Sequence, residues 1–123
     1  MTQILIVDDD PTIRSMMGLM LEGAGYETHE APHGAIALER IARSRPDLVL
    51  TNIMMPVVDG VSLVRQLRAN PATAALPILV ISGLPDAAEL VRQASATLVK
   101  PFVQDQLLAM VSSLIGAPDS STT

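Results

Sequence analysis

The sequence contains no cysteine, which excludes disulfide bonds, thiolate zinc sites and cysteine nucleophiles. Long apolar runs are also missing. Hydrophobic residues make up 49% of the chain, but no segment approaches the roughly 18 consecutive apolar residues of a membrane-spanning helix. Basic residues are few, with 8 against 13 acidic ones and a net charge of −5. Because the surface lacks a basic field, we do not expect direct nucleic-acid binding, and a protein partner or a cation is the better fit.

The length of the chain suits a single domain with one core. A chain of 123 residues can bury well over half of the surface that it exposes when unfolded. We expect a domain over residues 1–116 and a small polar tail without fixed structure over 117–123. The first residues, Met1 to Gln3, lead directly into an apolar segment, so we expect no secretion signal and a cytoplasmic protein.

Five short segments are predicted to form β-strands. The first and the fourth are almost wholly aliphatic, which is typical of strands that are buried on both faces of a parallel sheet. The predicted strands are Ile4–Val7, Tyr26–Ala31, Asp47–Asn52, Ile78–Ser82 and Ala96–Val99.

A helical segment is predicted after each strand. Behind the first strand, Asp10 can cap a helix that has Pro11 at its first position. Apolar residues then recur at helical spacing and are expected to pack in the core: Ile13, Met16, Met17, Met20 and Leu21. The predicted helices are residues 11 to about 23, Gly34–Arg43, Gly60–Ala69, Ala87–Ala94 and Gln104–Ile115. This alternation predicts an α/β fold, a doubly wound five-stranded parallel sheet with five helices.

Polar side chains stand where four of the strands end. Asp8 and Asp9 follow the first strand, Asn52 ends the third, Ser82 ends the fourth and Lys100 follows the fifth. Each alone is explained by a cap, a turn or a solvated charge. Since ligands of such sheets bind outside the carboxyl ends of the strands, we expect the five to share one pocket. Carboxylates suit Mg²⁺, and a lysine and a serine beside the ion suit phosphoryl oxygens.

Five motifs occur in order along the chain: Val7-Asp8-Asp9-Asp10, Pro46–Leu50, Met54-Met55-Pro56 with Asp59-Gly60, Pro77–Ser82 and Leu98–Phe102. Together they resemble the receiver domain of two-component response regulators. The resemblance covers nearly the whole chain and implies a flavodoxin-like receiver topology.

The resemblance also implies roles for the residues at the strand ends. Asp8 and Asp9 would hold Mg²⁺, with Asn52 and the main-chain carbonyl of Met54 as further ligands. Ser82 would be the switch hydroxyl that turns toward a phosphoryl group, and Lys100 would pair with that group. The peptide bond between Lys100 and Pro101 is expected to be cis, as is usual at this turn in the family.

Three departures from the family pattern affect the expected function. Asn52 stands where the family has its phosphoacceptor aspartate, and a neutral amide cannot replace a carboxylate nucleophile. We therefore expect no aspartyl phosphate and a weakened Mg²⁺ site. Thr97 stands where the family usually has an aromatic switch residue. The segment from Ser82 to Lys100 is about one helical turn, roughly four residues, shorter than usual.

Two accounts explain Asn52. It is either a natural feature of a degenerate receiver that works by constitutive protein contacts, or an aspartate that was changed deliberately to hold the unphosphorylated state. The retained acidic pair, serine and lysine favour the second account. Thr97 and the shortened fourth helix favour the first.

We expect an interaction module of a phosphorelay, and not an enzyme. The expected partners are a histidine kinase or phosphotransfer protein and a downstream output protein or domain, without nucleic acid or membrane, in a monomer or weak homodimer. The alternative is a Mg²⁺-dependent phosphohydrolase on a similar sheet, although no insertion is long enough to form a cap over a substrate. A third interpretation is a structural fragment without an ion site.

Overall fold

A computed structural model describes residues 2–53, 59–83 and 92–117. Its strands and helices agree with the predicted segments to within one residue at each strand end. The strands are β1 (Gln3–Val7), β2 (Glu27–Ala31), β3 (Leu48–Asn52), β4 (Ile78–Ser82) and β5 (Ala96–Val99). The helices of the described residues are α1 (Pro11–Gly23), α2 (Gly34–Arg43), α3 (Gly60–Ala69) and α4 (Gln104–Ile115).

One predicted helix and the predicted tail fall largely outside the described residues. Of the helix predicted at Ala87–Ala94, only the last three residues, 92–94, are described, and they form a turn and bend. That end of the prediction is wrong. The chain must turn there because the Ser95 amide already donates to the carbonyl of Ile78, at 2.9 Å, where β5 enters the sheet. Of the tail predicted at 117–123, only Ala117 is described.

The five strands form one parallel sheet in the order β2-β1-β3-β4-β5. Alternate side chains of the central strands point to opposite faces, so that Ile4 and Ile6 pack with α1 and α4, whereas Leu5 and Val7 pack with α2 and α3. The sheet therefore has a buried layer on each side, and the prediction of a doubly wound α/β fold is confirmed.

The amino end of α1 is fixed by the residues that were predicted to fix it. The Asp10 carboxylate accepts hydrogen bonds from the amides of Thr12 and Ile13, at 2.9 and 3.3 Å, and Pro11 is the first helical residue. This cap matters for the site because α1 begins directly after the acidic segment at the end of β1.

The apolar stripe of α1 is narrower than predicted. Met17 and Leu21 are buried in the core, but 46% of Met16 is exposed, so its assignment to the core was wrong. Successive helical residues are about 100° apart around the axis. Met16 therefore lies to one side of the stripe that Met17 directs toward the sheet.

No helix within the described parts of the chain combines the length and the apolar character needed to cross a membrane.

Candidate functional site

Asp8 is the most deeply placed acid at the carboxyl end of the sheet, with 1% of the residue exposed. Its amide donates to the carbonyl of Ala31 at 3.2 Å, which extends the pairing of β1 with β2 by one residue. Its carboxylate oxygen Oδ1 accepts a hydrogen bond from the amide of Asp10 at 2.9 Å. The carboxylate is therefore held in a fixed place beside the start of α1, while Asp9 is exposed next to it.

The electrostatics of Asp8 show which groups surround it. Burial raises the pKa of Asp8 above its ordinary value, and this is the largest effect. The hydrogen bond from Asp10 and the positive charge of Lys100 act in the opposite direction, while a hydrogen bond and a charge from Asp9 raise the pKa further. The charges of Asp9 and Lys100 are therefore both felt at Asp8, and the carboxylate pair is a place where added positive charge would be favourable.

The register of β1 and β3 places Asn52 level with Asp8 at the carboxyl end of the sheet. Val7 is paired with Thr51, so one further step along each strand places Asp8 beside Asn52. The side-chain oxygen Oδ1 of Asn52 accepts a hydrogen bond from the amide of Ile53 at 2.8 Å. Asn52 is only partly buried at the edge of the sheet.

The last two strands complete the same edge. Asn52 is paired with Ile81, and Ser82 with Val99. The amide of Lys100 then donates to the carbonyl of Ser82 at 2.8 Å. Ser82 and Lys100 thus lie at the carboxyl ends of adjacent strands, and the five polar residues that the sequence singled out all lie along the carboxyl edge of the sheet.

Gly60 allows α3 to begin directly against the end of β3. Its amide donates to the carbonyl of Ile53 at 2.7 Å. A Cβ atom at this position would overlap the main-chain carbonyl oxygen of Asn52 and lie 2.7 Å from the Cα atom of Ile53. Asp59 caps the helix by accepting from the amide of Ser62 at 2.8 Å. The backbone around position 52 is therefore fixed by a contact that only glycine permits.

Arg14 is a further residue of this region, and sequence reasoning missed it. Its Nη1 atom donates to the main-chain carbonyl of Asp8 at 2.7 Å, and its Nε atom donates to a carboxylate oxygen of Glu30 at 3.1 Å. The sequence did carry a signal. Arg14 is the single basic residue of α1 and stands near its amino end, where the helix dipole disfavours a cation unless another partner holds it.

Other predicted residues are placed as follows. Thr97 lies within β5, paired with Val80 and partly buried, and not at the strand end. Met54 lies outside the described residues, so its carbonyl as a metal ligand stays a prediction. The Lys100-Pro101 peptide bond is cis, and this expectation is confirmed.

The donors at this edge fit a hard divalent cation of small size. Across the described ranges, no group of three or more histidine or acidic side chains could hold a metal ion, so an ion here would be bound by the acidic pair with neutral oxygens. Asn52 offers such an oxygen. A site with one or two carboxylates, an amide oxygen and water is the kind that Mg²⁺ occupies in proteins.

Comparison with known sequences identifies the family. The response regulator receiver domain matches residues 4–112. The chain is 33% identical over 123 residues to the DNA-binding dual master transcriptional regulator RpaA of Synechocystis sp.. The matched region covers 97% of this chain and 51% of RpaA. It is 39% identical over 117 residues to the sensor histidine kinase TmoS of Ectopseudomonas mendocina, covering 92% of this chain and 12% of that protein. The chain thus spans about half of one relative and a much smaller part of the other.

A solved structure of a receiver domain has the same fold as this chain. The chain is similar to the receiver domain of the sensor histidine kinase PA1611 from Pseudomonas aeruginosa PAO1, with a TM-score of 0.86 and 29% identity over 94% of this chain and 98% of that chain. That structure has a magnesium ion coordinated in its active site cleft. None of these matches supports the alternative of a phosphohydrolase. The chain belongs to the receiver domain family of two-component response regulators and sensor kinases.

Proposed function

We propose that this receiver domain signals through protein contacts without accepting a phosphoryl group, and that its acidic pair binds Mg²⁺. The observation that carries the proposal is the place of Asn52. It ends β3 level with Asp8, and its side-chain oxygen is engaged by the amide of Ile53. An amide therefore occupies the position at which the family pattern has its reactive carboxylate.

The chemistry of the amide decides the outcome with a phosphodonor. An aspartyl phosphate forms when a carboxylate oxygen attacks phosphorus, and the oxygen of a neutral amide is too weak a nucleophile for this step. Ser82 and Lys100 lie at the neighbouring strand ends, where they would bind phosphoryl oxygens as hydroxyl donor and cation. A phosphoryl group would thus find its binding groups here but no acceptor. This holds for Asn52 as a natural residue and as a deliberate substitution.

The acidic pair supports the proposed Mg²⁺ site. Asp8 is buried beside Asp9, and both burial and Asp9 raise the pKa of Asp8. A cation that neutralises the pair would remove this unfavourable charge, and the related PA1611 structure contains magnesium in its cleft. We assign Asp8 and Asp9 as the ionic ligands, with oxygens of Asn52 and Met54 as neutral ones. Loss of the aspartate charge at position 52 weakens the site.

The proposed partners follow from the relatives. RpaA is a transcriptional regulator and TmoS is a sensor histidine kinase, so we assign a histidine kinase or phosphotransfer protein on the input side and an output protein or domain on the other. The domain itself would have no substrate turnover. We propose a monomer or weak homodimer, since Thr97 replaces the usual aromatic switch residue on β5.

Mass spectrometry after incubation with acetyl phosphate and Mg²⁺ tests the proposal. We expect no stable gain of mass in the native chain and the gain of one phosphoryl group in the Asn52→Asp variant, which restores the carboxylate. This variant is the matched control, because its success shows that the pocket, the donor and the ion are competent. A phosphoryl group on the native pocket would refute the proposal, and so would turnover of a generic phosphate ester.

A further inference from the structure

We infer that Arg14 is a positioning residue for the acidic pair, and that through Arg14 the edge strand β2 sets the affinity of the site for Mg²⁺. The inference rests on the proposed Mg²⁺ site and adds a residue that takes no part in binding the ion. Its basis is one guanidinium that joins the main chain of Asp8 to the side chain of Glu30.

The guanidinium of Arg14 donates hydrogen bonds to two different acceptors. One nitrogen, Nη1, is 2.7 Å from the carbonyl oxygen of Asp8, and another, Nε, is 3.1 Å from the carboxylate of Glu30. Only 17% of the Arg14 side chain is exposed, compared with 77% of Arg43 in the ion pair between Arg43 and Glu39. Arg14 is thus held in one orientation, whereas Arg43 extends into solvent.

The end of β2 holds both sides of the Asp8 main chain. The amide of Asp8 donates to the carbonyl of Ala31 at 3.2 Å. The carbonyl of Asp8 is bound by Arg14, which is in turn bound by Glu30, the residue before Ala31. The first contact fixes the peptide group before Asp8, and the contact with Arg14 fixes the peptide group between Asp8 and Asp9. Because that second peptide group joins the two residues that carry the carboxylates, its orientation determines whether both can reach one ion.

An electrostatic role and a positioning role of Arg14 predict opposite changes in Mg²⁺ affinity when Arg14 is removed. As a charge near two carboxylates, Arg14 repels a dication, so removing it would tighten Mg²⁺ binding by electrostatics alone. As a positioning residue, its removal frees the peptide group after Asp8, and binding becomes weaker. Partners that orient metal ligands typically account for about 10-fold to 100-fold in affinity. The sign of the change therefore separates the two roles.

The test is a titration of amide NMR signals with Mg²⁺, which suits a chain without tryptophan. We expect Arg14→Gln to bind Mg²⁺ about 10-fold more weakly than the native chain. Arg14→Lys should lie between the two, because an ammonium group serves one acceptor well but cannot reproduce the fork. Arg43→Gln is the matched control. It removes the same charge from an exposed ion pair and should leave the affinity unchanged.

A double variant tests the link to β2. If Glu30 acts through Arg14, then adding Glu30→Gln to Arg14→Gln should change the affinity no further. Thermal unfolding of each variant in chelator separates loss of the site from loss of the fold, and Arg14→Lys alone decides the matter if Arg14→Gln does not fold.

The outcomes distinguish this inference from the proposed function. Native protein that shows no Mg²⁺-dependent shifts would overturn the Mg²⁺ site and the role of Arg14 together. Native protein that binds Mg²⁺, beside folded Arg14 variants that bind equally well or better, would overturn the role of Arg14 alone. Weaker binding in the Arg14 variants, with Arg43→Gln unchanged, supports it.

Discussion

The two ends of the sheet hold their charged side chains in different ways. At the amino end, Arg68 donates to the carbonyl oxygens of Leu76, Gln93 and Ala74 at 2.6, 2.8 and 3.1 Å. Its partners are neutral, and it joins α3 to the entrances of β4 and β5. At the carboxyl end, burial raises the pKa of Asp8, and the neighbouring Asp9 raises it further.

The difference does not come from missing hydrogen bonds. Among the described residues, no buried side-chain nitrogen or oxygen lacks a hydrogen-bond partner. The two charged groups differ instead in their neighbours, because the cation of Arg68 is shared among neutral carbonyl dipoles, whereas the carboxylate of Asp8 has the like charge of Asp9 beside it. We therefore expect Arg68 at the amino end to stabilise the fold, and Asp8 at the carboxyl end to reduce stability in favour of the proposed Mg²⁺ site.

The largest change in the free energy of unfolding is expected for a substitution at the amino end of the sheet. Arg68→Ala should lower the free energy of unfolding by about 3 kcal/mol, because several carbonyl groups lose a charged donor that a small apolar side chain cannot replace. Denaturation in urea measures this change. Arg65→Ala, in the same helix at an exposed position, is the control and should have little effect. The comparison fails at this end if Arg68→Ala is as stable as Arg65→Ala, or if it alters Mg²⁺ binding.

A smaller effect of the same sign is expected from adding charge at the carboxyl end. Asn52→Asp keeps the shape of the side chain but places a third carboxylate near Asp8 and Asp9. In chelator, its free energy of unfolding should be lower by on the order of 1 to 3 kcal/mol, since part of the repulsion is relieved by solvent and by raised pKa values. Mg²⁺ should bind the variant more tightly and restore its stability as the concentration rises. Equal stability of the two proteins with and without Mg²⁺ would show that these side chains do not share a pocket.

The smallest change in stability is expected for Asp8→Asn, and it is an increase. Asp8→Asn should raise the free energy of unfolding by about 1 kcal/mol at neutral pH, because the amide keeps an acceptor for Asp10 but carries no charge. Since the pKa of Asp8 is raised in the folded protein, the native chain should regain this stability as the pH falls through the raised pKa toward about 4. The advantage of the variant should therefore shrink on acidification in chelator. A variant that is less stable than the native chain at neutral pH would contradict the assignment of unfavourable charge to this end.

The features predicted well from the sequence depend on neighbours along the chain. The aliphatic runs of β1 and β4 and the cap formed by Asp10 and Pro11 are local, and the structure confirms them. The placement of polar residues at one edge followed from the parallel sheet, in which all the strand ends face the same way.

The features that were missed depend on contacts between distant segments. Arg68 and Gln93 are 25 positions apart in the sequence, and Arg14 and Glu30 are 16 apart, so no spacing rule pairs them. Residues 92–94, predicted to end a helix, form a turn and bend instead, because the next residue, Ser95, is bound to Ile78. The roles of Ser82, Thr97 and Lys100 remain predictions, since they concern a bound phosphoryl group.

The close approach of Gly60 to the end of β3 has a genetic consequence. Gly60 approaches the main chain of Asn52 and not its side chain, so an aspartate, which has the same shape as asparagine, would meet the same contact. Asparagine and aspartate codons differ by one base at the first position. A single A-to-G transition would therefore place a carboxylate at the end of β3 without any change at Gly60.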